Sequence, residues 1–212
     1  MRVRRGPGQG GAMLDGMMRR LIDPVLNDWG RRLAGRVTAD QVTLGGLALG
    51  LGAAGLIASG LPGLALLPLL ASRLADGLDG AVARATRKTD FGGYLDIVAD
   101  FLFYGAVPLA FVALDPGGNG LAGAFLLTSF YVNGTSFLGY AILAEKHKLQ
   151  TEARGVKSLY FTGGLLEGTE TIAFFVVLCL WPAGFAPLAW IFGALCFLTA
   201  GSRVLLAAKV FR

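Results

Sequence analysis

Ser72-Arg73-Leu74-Ala75-Asp76-Gly77-Leu78-Asp79-Gly80-Ala81-Val82-Ala83-Arg84, followed after a short basic stretch by Gly92-Gly93-Tyr94-Leu95-Asp96-Ile97-Val98-Ala99-Asp100, is the part of the sequence on which the rest turns. Both segments lie at the ends of long apolar runs, where an ionisable side chain is costly and marks a functional site by default. Asp76 and Asp79 are three residues apart and Asp96 and Asp100 are four apart, so each pair shares one helix face. A hairpin closed around residues 85–91 brings the four carboxylates together. The plainer alternative pairs them with Arg73, Arg84, Arg87 and Lys88 in a solvated loop. Two helical spacings in succession argue against it. Four clustered carboxylates repel one another, and a divalent cation relieves that repulsion. All-oxygen ligation suits Mg²⁺ or Mn²⁺ rather than zinc, and such ions neutralise and clamp phosphate groups. Gly77, Gly80, Gly92 and Gly93 are read as leaving room for a bulky substrate beside the backbone.

The surroundings are those of a membrane protein. Of 212 residues, 54% are hydrophobic and 16% are charged, with a mean hydropathy of +0.61. A spanning helix needs about 20 apolar residues. Six spans are expected, at about 41–60, 62–84, 92–114, 119–144, 157–181 and 187–208. The predicted fold is an all-α membrane protein of six transmembrane helices preceded by an amphipathic interfacial helix. Its parts are a disordered N-terminus (1–11), an amphipathic juxtamembrane segment (12–36) and the six-helix domain (37–212). In the juxtamembrane segment Leu14, Met17, Met18, Leu21, Ile22, Val25, Leu26, Trp29 and Leu33 recur at helical spacing. Asp23-Pro24 is expected to restart that helix, with Pro24 at its first position. Thirty-two glycines suit close helix packing in a membrane, and Gly46 and Gly50 form a small-xxx-small pair. Cys179 and Cys196 read as buried thiols, His147 as a solvated residue, and no signal peptide is evident.

The net charge of +5 is distributed beside apolar segments, which fits anionic lipid headgroups and argues against nucleic acid. Loops near residues 61, 117 and 185 contain no Lys or Arg, so the positive-inside rule puts both termini in the cytoplasm.

The quoted stretch resembles the signature of the CDP-alcohol phosphatidyltransferase family: D-x-x-D-G-x-x-A-R, a short spacer, then G-x-x-x-D-x-x-x-D, with every fixed position matched. The resemblance implies a six-span fold in a bacterial inner membrane and an active site on the cytoplasmic side. It implies a CDP-diacylglycerol donor, a small alcohol acceptor, CMP release, and a homodimer embedded among membrane lipids. It implies that Asp76, Asp79 and Asp96 bind the metal. Asp100 would be the base that deprotonates the acceptor and would touch a second metal if one binds. It implies CDP contacts at Gly77, Gly80, Arg84 and Gly92. Thr38-Ala39-Asp40-Gln41-Val42-Thr43 is similar to a T-P-N-x-x-T element, which adds Thr43 to the nucleotide set, although Ala39 and Asp40 depart from the pattern. Residues 157–171 are similar to a bacterial subgroup labelled phosphatidylglycerophosphate-synthase-like, and glycerol 3-phosphate is the expected acceptor. Inositol phosphate or serine are the alternatives.

The remaining buried charges are sorted by depth, at about 1.5 Å per residue. Arg73 is expected to pair with Glu167 or Glu170. Arg203, with Arg154 and Lys157, is expected at the cytoplasmic mouth, holding an anionic group of the acceptor. A cation transporter is the competing class, since intramembrane acids also line ion pathways. Such proteins usually carry their acids at mid-membrane and show inverted repeats, and neither feature is present.

Overall fold

The computed structural model describes residues 10–147 and 168–212, with side chains from residue 22 onward. Residues 1–9, Arg154, Lys157, Glu167 and the first part of the expected 157–181 span lie outside the described residues. The described residues form seven α-helices: α1 (Gly10–Leu33), α2 (Ala39–Ala58), α3 (Pro62–Ala85), α4 (Asp90–Leu114), α5 (Pro116–Lys146), α6 (Gly168–Leu180) and α7 (Phe185–Val210). A 3₁₀ turn, Pro182–Gly184, leads into α7. Four helical segments are long and apolar enough to cross a membrane: α2, α4, α5, and the turn with α7. With 24 residues α3 has the length, but it carries Arg73, Asp76, Asp79 and Arg84.

Local chemistry sets the boundaries. Thr38 and Gln41 form a reciprocal capping box that starts α2, satisfying two backbone donors. The helix stops at Ser59-Gly60. Gly60 adopts φ 83°, its N–H donates to the Ile57 carbonyl, and that of Leu61 donates to the Leu56 carbonyl. This is a Schellman termination, and a side chain at Gly60 would be strained. Pro62 then opens α3, where its missing N–H costs nothing. Thr89 and Asp115 cap α4 and α5 by accepting from the backbone N–H of Gly92 and Gly118.

One expectation about α1 fails. The helix runs unbroken through Pro24. Proline removes one backbone donor and crowds the carbonyl four residues back, that of Arg20. Where that carbonyl faces solvent, water takes the place of the lost bond, and the helix continues.

Packing brings α2, α3 and α4 together, with α1 laid on α3, α5 on α7, and α4 joining the two groups. Close approach needs small residues: a Cβ on Gly46 would lie 2.9 Å from Ala75 Cβ, and one on Gly50 would lie 2.6 Å from the Phe103 ring. The small-xxx-small pair is therefore used within one chain. The same holds between α1 and α3, where a Cβ on Gly30 would lie 2.8 Å from Ala81. An aromatic core fills the centre, with Phe103, Phe111, Phe175 and Phe185 fully buried. Phe111 stacks on Phe185 at 5.3 Å and Phe174 on Phe192 at 4.1 Å, tying α4 and α6 to α7. Both cysteines are buried free thiols.

Candidate active site

Helices α3 and α4 both pack on α2, and the side chains of the four aspartates, two from each helix, lie along the seam that Arg73 bridges. Asp96 and Asp100 are the carboxylate neighbours of both Asp76 and Asp79. The hairpin expected from the two spacings is the one that forms.

Two side chains hold the carboxylates in place. Thr43, on α2, donates its hydroxyl to Asp79 Oδ2 at 2.6 Å, and both residues are buried. Arg73 reaches across from α3 to α4, its Nη1 donating to Asp100 Oδ1 at 2.7 Å and lying 3.6 Å from Asp76 Oδ1. Its Nη2 lies 3.2 Å from Ser72 Oγ, and its guanidinium carbon sits 3.9 Å from the centre of the Phe103 ring. A small cavity opens between Thr43, Ser72, Arg73, Asp76, Asp79 and Ala99.

As a donor set, these carboxylates fit a hard divalent cation: they supply only oxygen, from two facing helices. Yet among the described residues no three acidic, His or Cys side chains are gathered closely enough to hold a metal ion as they stand. The cation that does lie among them is the Arg73 guanidinium.

Several expected roles are relocated. Arg73 bonds to Asp100 and approaches Asp76, rather than pairing with Glu170, because its long side chain spans the α3–α4 seam at its own depth. Arg203 does not turn toward the aspartates through Nη1, which donates to the Asn133 carbonyl, Asn133 Oδ1 and Ser136 Oγ on α5. Buried between α5 and α7, it fastens one to the other. Gly77 leaves space for Leu26 of α1, since a Cβ there would lie 2.7 Å from Leu26 Cδ1. Arg84 donates from Nε and Nη2 to Asn27 Oδ1, also on α1, at 3.3 and 2.9 Å. A Cβ on Gly92 would meet Thr89 Oγ1 at 3.0 Å and Asp40 Oδ1 at 3.1 Å, while Gly93 faces open space. Gly80 packs beside Arg84, whose Nη1 would lie 3.3 Å from an added Cβ.

The residues not foreseen are Asn27 as the partner of Arg84 and Asn133 and Ser136 as those of Arg203, whereas the Arg73 pairing with Asp76 and Asp100 is the part of the plainer alternative that the structure bears out. Asn133 and Ser136 are three apart on α5, a polar face in an apolar run, and this was the one available signal. Which aspartate Arg73 would take was not legible, because a sequence gives height along a helix but not which neighbour it faces.

Comparison with known proteins places this geometry in a class. Residues 36–207 match the model of the CDP-alcohol phosphatidyltransferase family, and the chain belongs to that family. It is an enzyme of the group that moves a phosphatidyl group from a CDP-alcohol onto an alcohol in lipid synthesis, generally with a divalent metal. Membership sets aside the transporter reading. The chain is 53% identical over 140 residues to the inner membrane protein YnjF of Escherichia coli K12, covering 66% of this chain and 68% of that one. It is 33% identical over 108 residues to an uncharacterized protein of Aquifex aeolicus, covering 50% of each.

Proposed function

We propose that the protein transfers the phosphatidyl group of CDP-diacylglycerol to the hydroxyl of a small alcohol and releases CMP, with Asp76, Asp79, Asp96 and Asp100 as the working carboxylates. The observation that carries this reading is that Asp96 and Asp100 of α4 are the carboxylate neighbours of Asp76 and Asp79 of α3, which line a small cavity. Asp76, Asp79 and Asp96, with Asp100, would hold Mg²⁺ or Mn²⁺. When bound, such an ion supplies charge neutralisation at the donor's pyrophosphate. Asp100 takes the proton of the acceptor hydroxyl. The acceptor oxygen forms a bond to the phosphorus beside the lipid, the bond to the CMP oxygen breaks, and CMP leaves with the negative charge. Thr43 keeps Asp79 in register. Thr43, Gly77, Gly80, Arg84 and Gly92 frame the nucleotide side, with Arg84 braced by Asn27 and Gly77 seating α1. Catalysis by positioning and charge suits a site with so few reactive groups.

The acceptor is read as glycerol 3-phosphate, held by Arg154 and Lys157. Inositol phosphate and serine are the alternatives. In this reading α2 to α7 are the six spans of a domain covering 37–212. The α1 helix lies at the interface and both termini are cytoplasmic, in a bacterial inner membrane. A homodimer would use a face other than Gly46 and Gly50, which are filled from within the chain. The test is CMP release by the purified protein in lipid, with CDP-diacylglycerol, Mg²⁺ or Mn²⁺ and a panel of these alcohols. Release with one acceptor and not the others fixes the substrate. No release with any acceptor in a broad panel overturns the reading.

A further inference from the structure

Arg73 stands one helical turn from Asp76 on α3, with its side chain only 10% exposed. Two features hold it there. Nη1 is 2.7 Å from Asp100 Oδ1 and 3.6 Å from Asp76 Oδ1, so one cation serves carboxylates from both helices. The flat face of the guanidinium rests on the Phe103 ring at 3.9 Å. A planar fork can bond at its edge and stack on its face at once, which an ammonium cannot do. Among the described residues the acidic groups are not gathered tightly enough to hold a metal ion, although Asp96 and Asp100 both neighbour Asp76.

Building on the reading that these carboxylates hold a divalent cation, we propose that Arg73 is a built-in counter-cation that competes with the metal for Asp76 and Asp100. It keeps the acidic seam closed when metal is absent and sets the concentration at which metal enters. The physical reason is direct. A cation at hydrogen-bond distance from a carboxylate changes that group's affinity for a proton by about 10- to 1000-fold. A divalent ion arriving at the same oxygens meets the same field, and must either displace the guanidinium or bind beside it.

Mn²⁺ titration of the full chain in lipid nanodiscs, with free Mn²⁺ followed by electron paramagnetic resonance and no lipid donor present, tests this without reference to turnover. Arg73→Met is expected to bind Mn²⁺ at least about tenfold more tightly than the wild type. Arg73→Lys, a point charge on a flexible stem, is expected to gain less, because it does not bridge both carboxylates. In chelator both variants are expected to melt below the wild type, with the gap closing at saturating Mn²⁺. If either folded variant binds Mn²⁺ with wild-type or weaker affinity, or if the melting gap is unmoved by metal, the proposal is overturned. If Arg73→Met does not fold, Arg73→Lys decides alone. A wild type that binds no Mn²⁺ overturns the metal reading itself and this proposal with it. The wild-type titration alone separates the two failures.

Discussion

Thr43 illustrates what a single hydroxyl does in an apolar setting. Its bond to Asp79, at 2.6 Å with both groups buried, supplies a donor that water would otherwise provide. Thr43→Val keeps the shape and strands the carboxylate, which costs about 1–3 kcal/mol. The expected result is a lower melting temperature and weaker Mn²⁺ binding, both largely recovered in Thr43→Ser; equal behaviour of the two variants would contradict the positioning role. Within α4 the roles divide differently. Asp100→Asn is expected to abolish turnover and leave CDP-lipid binding largely intact, whereas Asp96→Asn is expected to lower metal affinity as well. Turnover assays paired with lipid-binding and Mn²⁺ titrations separate the two. The aspartates were legible because helical spacing is written in residue numbers. Their partners were not: Arg73 could be assigned a depth from the chain, but its reach to Asp100 depends on how α3 and α4 are turned toward each other. Arg203 is alike, since its depth could be counted along the chain but the donation of its Nη1 to Asn133 and Ser136 on α5 could not.

At the scale of elements, turn chemistry was the most readable part of the chain. Ser59-Gly60-Leu61-Pro62 ends one helix and begins the next through a left-handed glycine and a first-turn proline, and Thr38 with Gln41 announces the start of α2. Pro24 gave the opposite lesson, because a proline permits a restart without imposing one. Gly46 and Gly50 were legible as a contact face; that Ala75 and Phe103 occupy it was not, since a small-residue stripe names no partner. This contact yields a paired prediction. Gly50→Ala drives a methyl into Phe103 and Ser72 and is expected to destabilise the protein by about 1–3 kcal/mol. Gly52→Ala, where an added Cβ meets nothing within 4 Å, is expected to leave the melting temperature unchanged or slightly raised. Thermal unfolding in detergent reads both. Similar losses in the two variants would mean that helix propensity, not packing, decides at these positions.

For the whole molecule, the proposed topology predicts that a cytoplasm-active reporter fused after Arg212 is functional and a periplasm-active one is silent; the reverse pattern would contradict it. The charges of α3 carry a further consequence, for the order in which the chain enters its membrane. Arg73, Asp76, Asp79 and Arg84 set α3 apart from the more apolar α2, α4, α5 and α7. Each such charge near the middle of a lone helix opposes insertion by about 3 kcal/mol. During synthesis α3 emerges before Asp100 exists, so Arg73 has only Asp76, on its own helix, for company. Thr43 of α2 is already present to bond Asp79, but only when α4 follows does Asp100 neutralise the guanidinium across the seam. Helices α3 and α4 should therefore enter the bilayer as a pair, the second completing the insertion of the first. Glycosylation mapping of nascent chains distinguishes this from stepwise entry. Chains ending near residue 89 should leave α3 largely uninserted, and chains extended past residue 115 should carry both helices across.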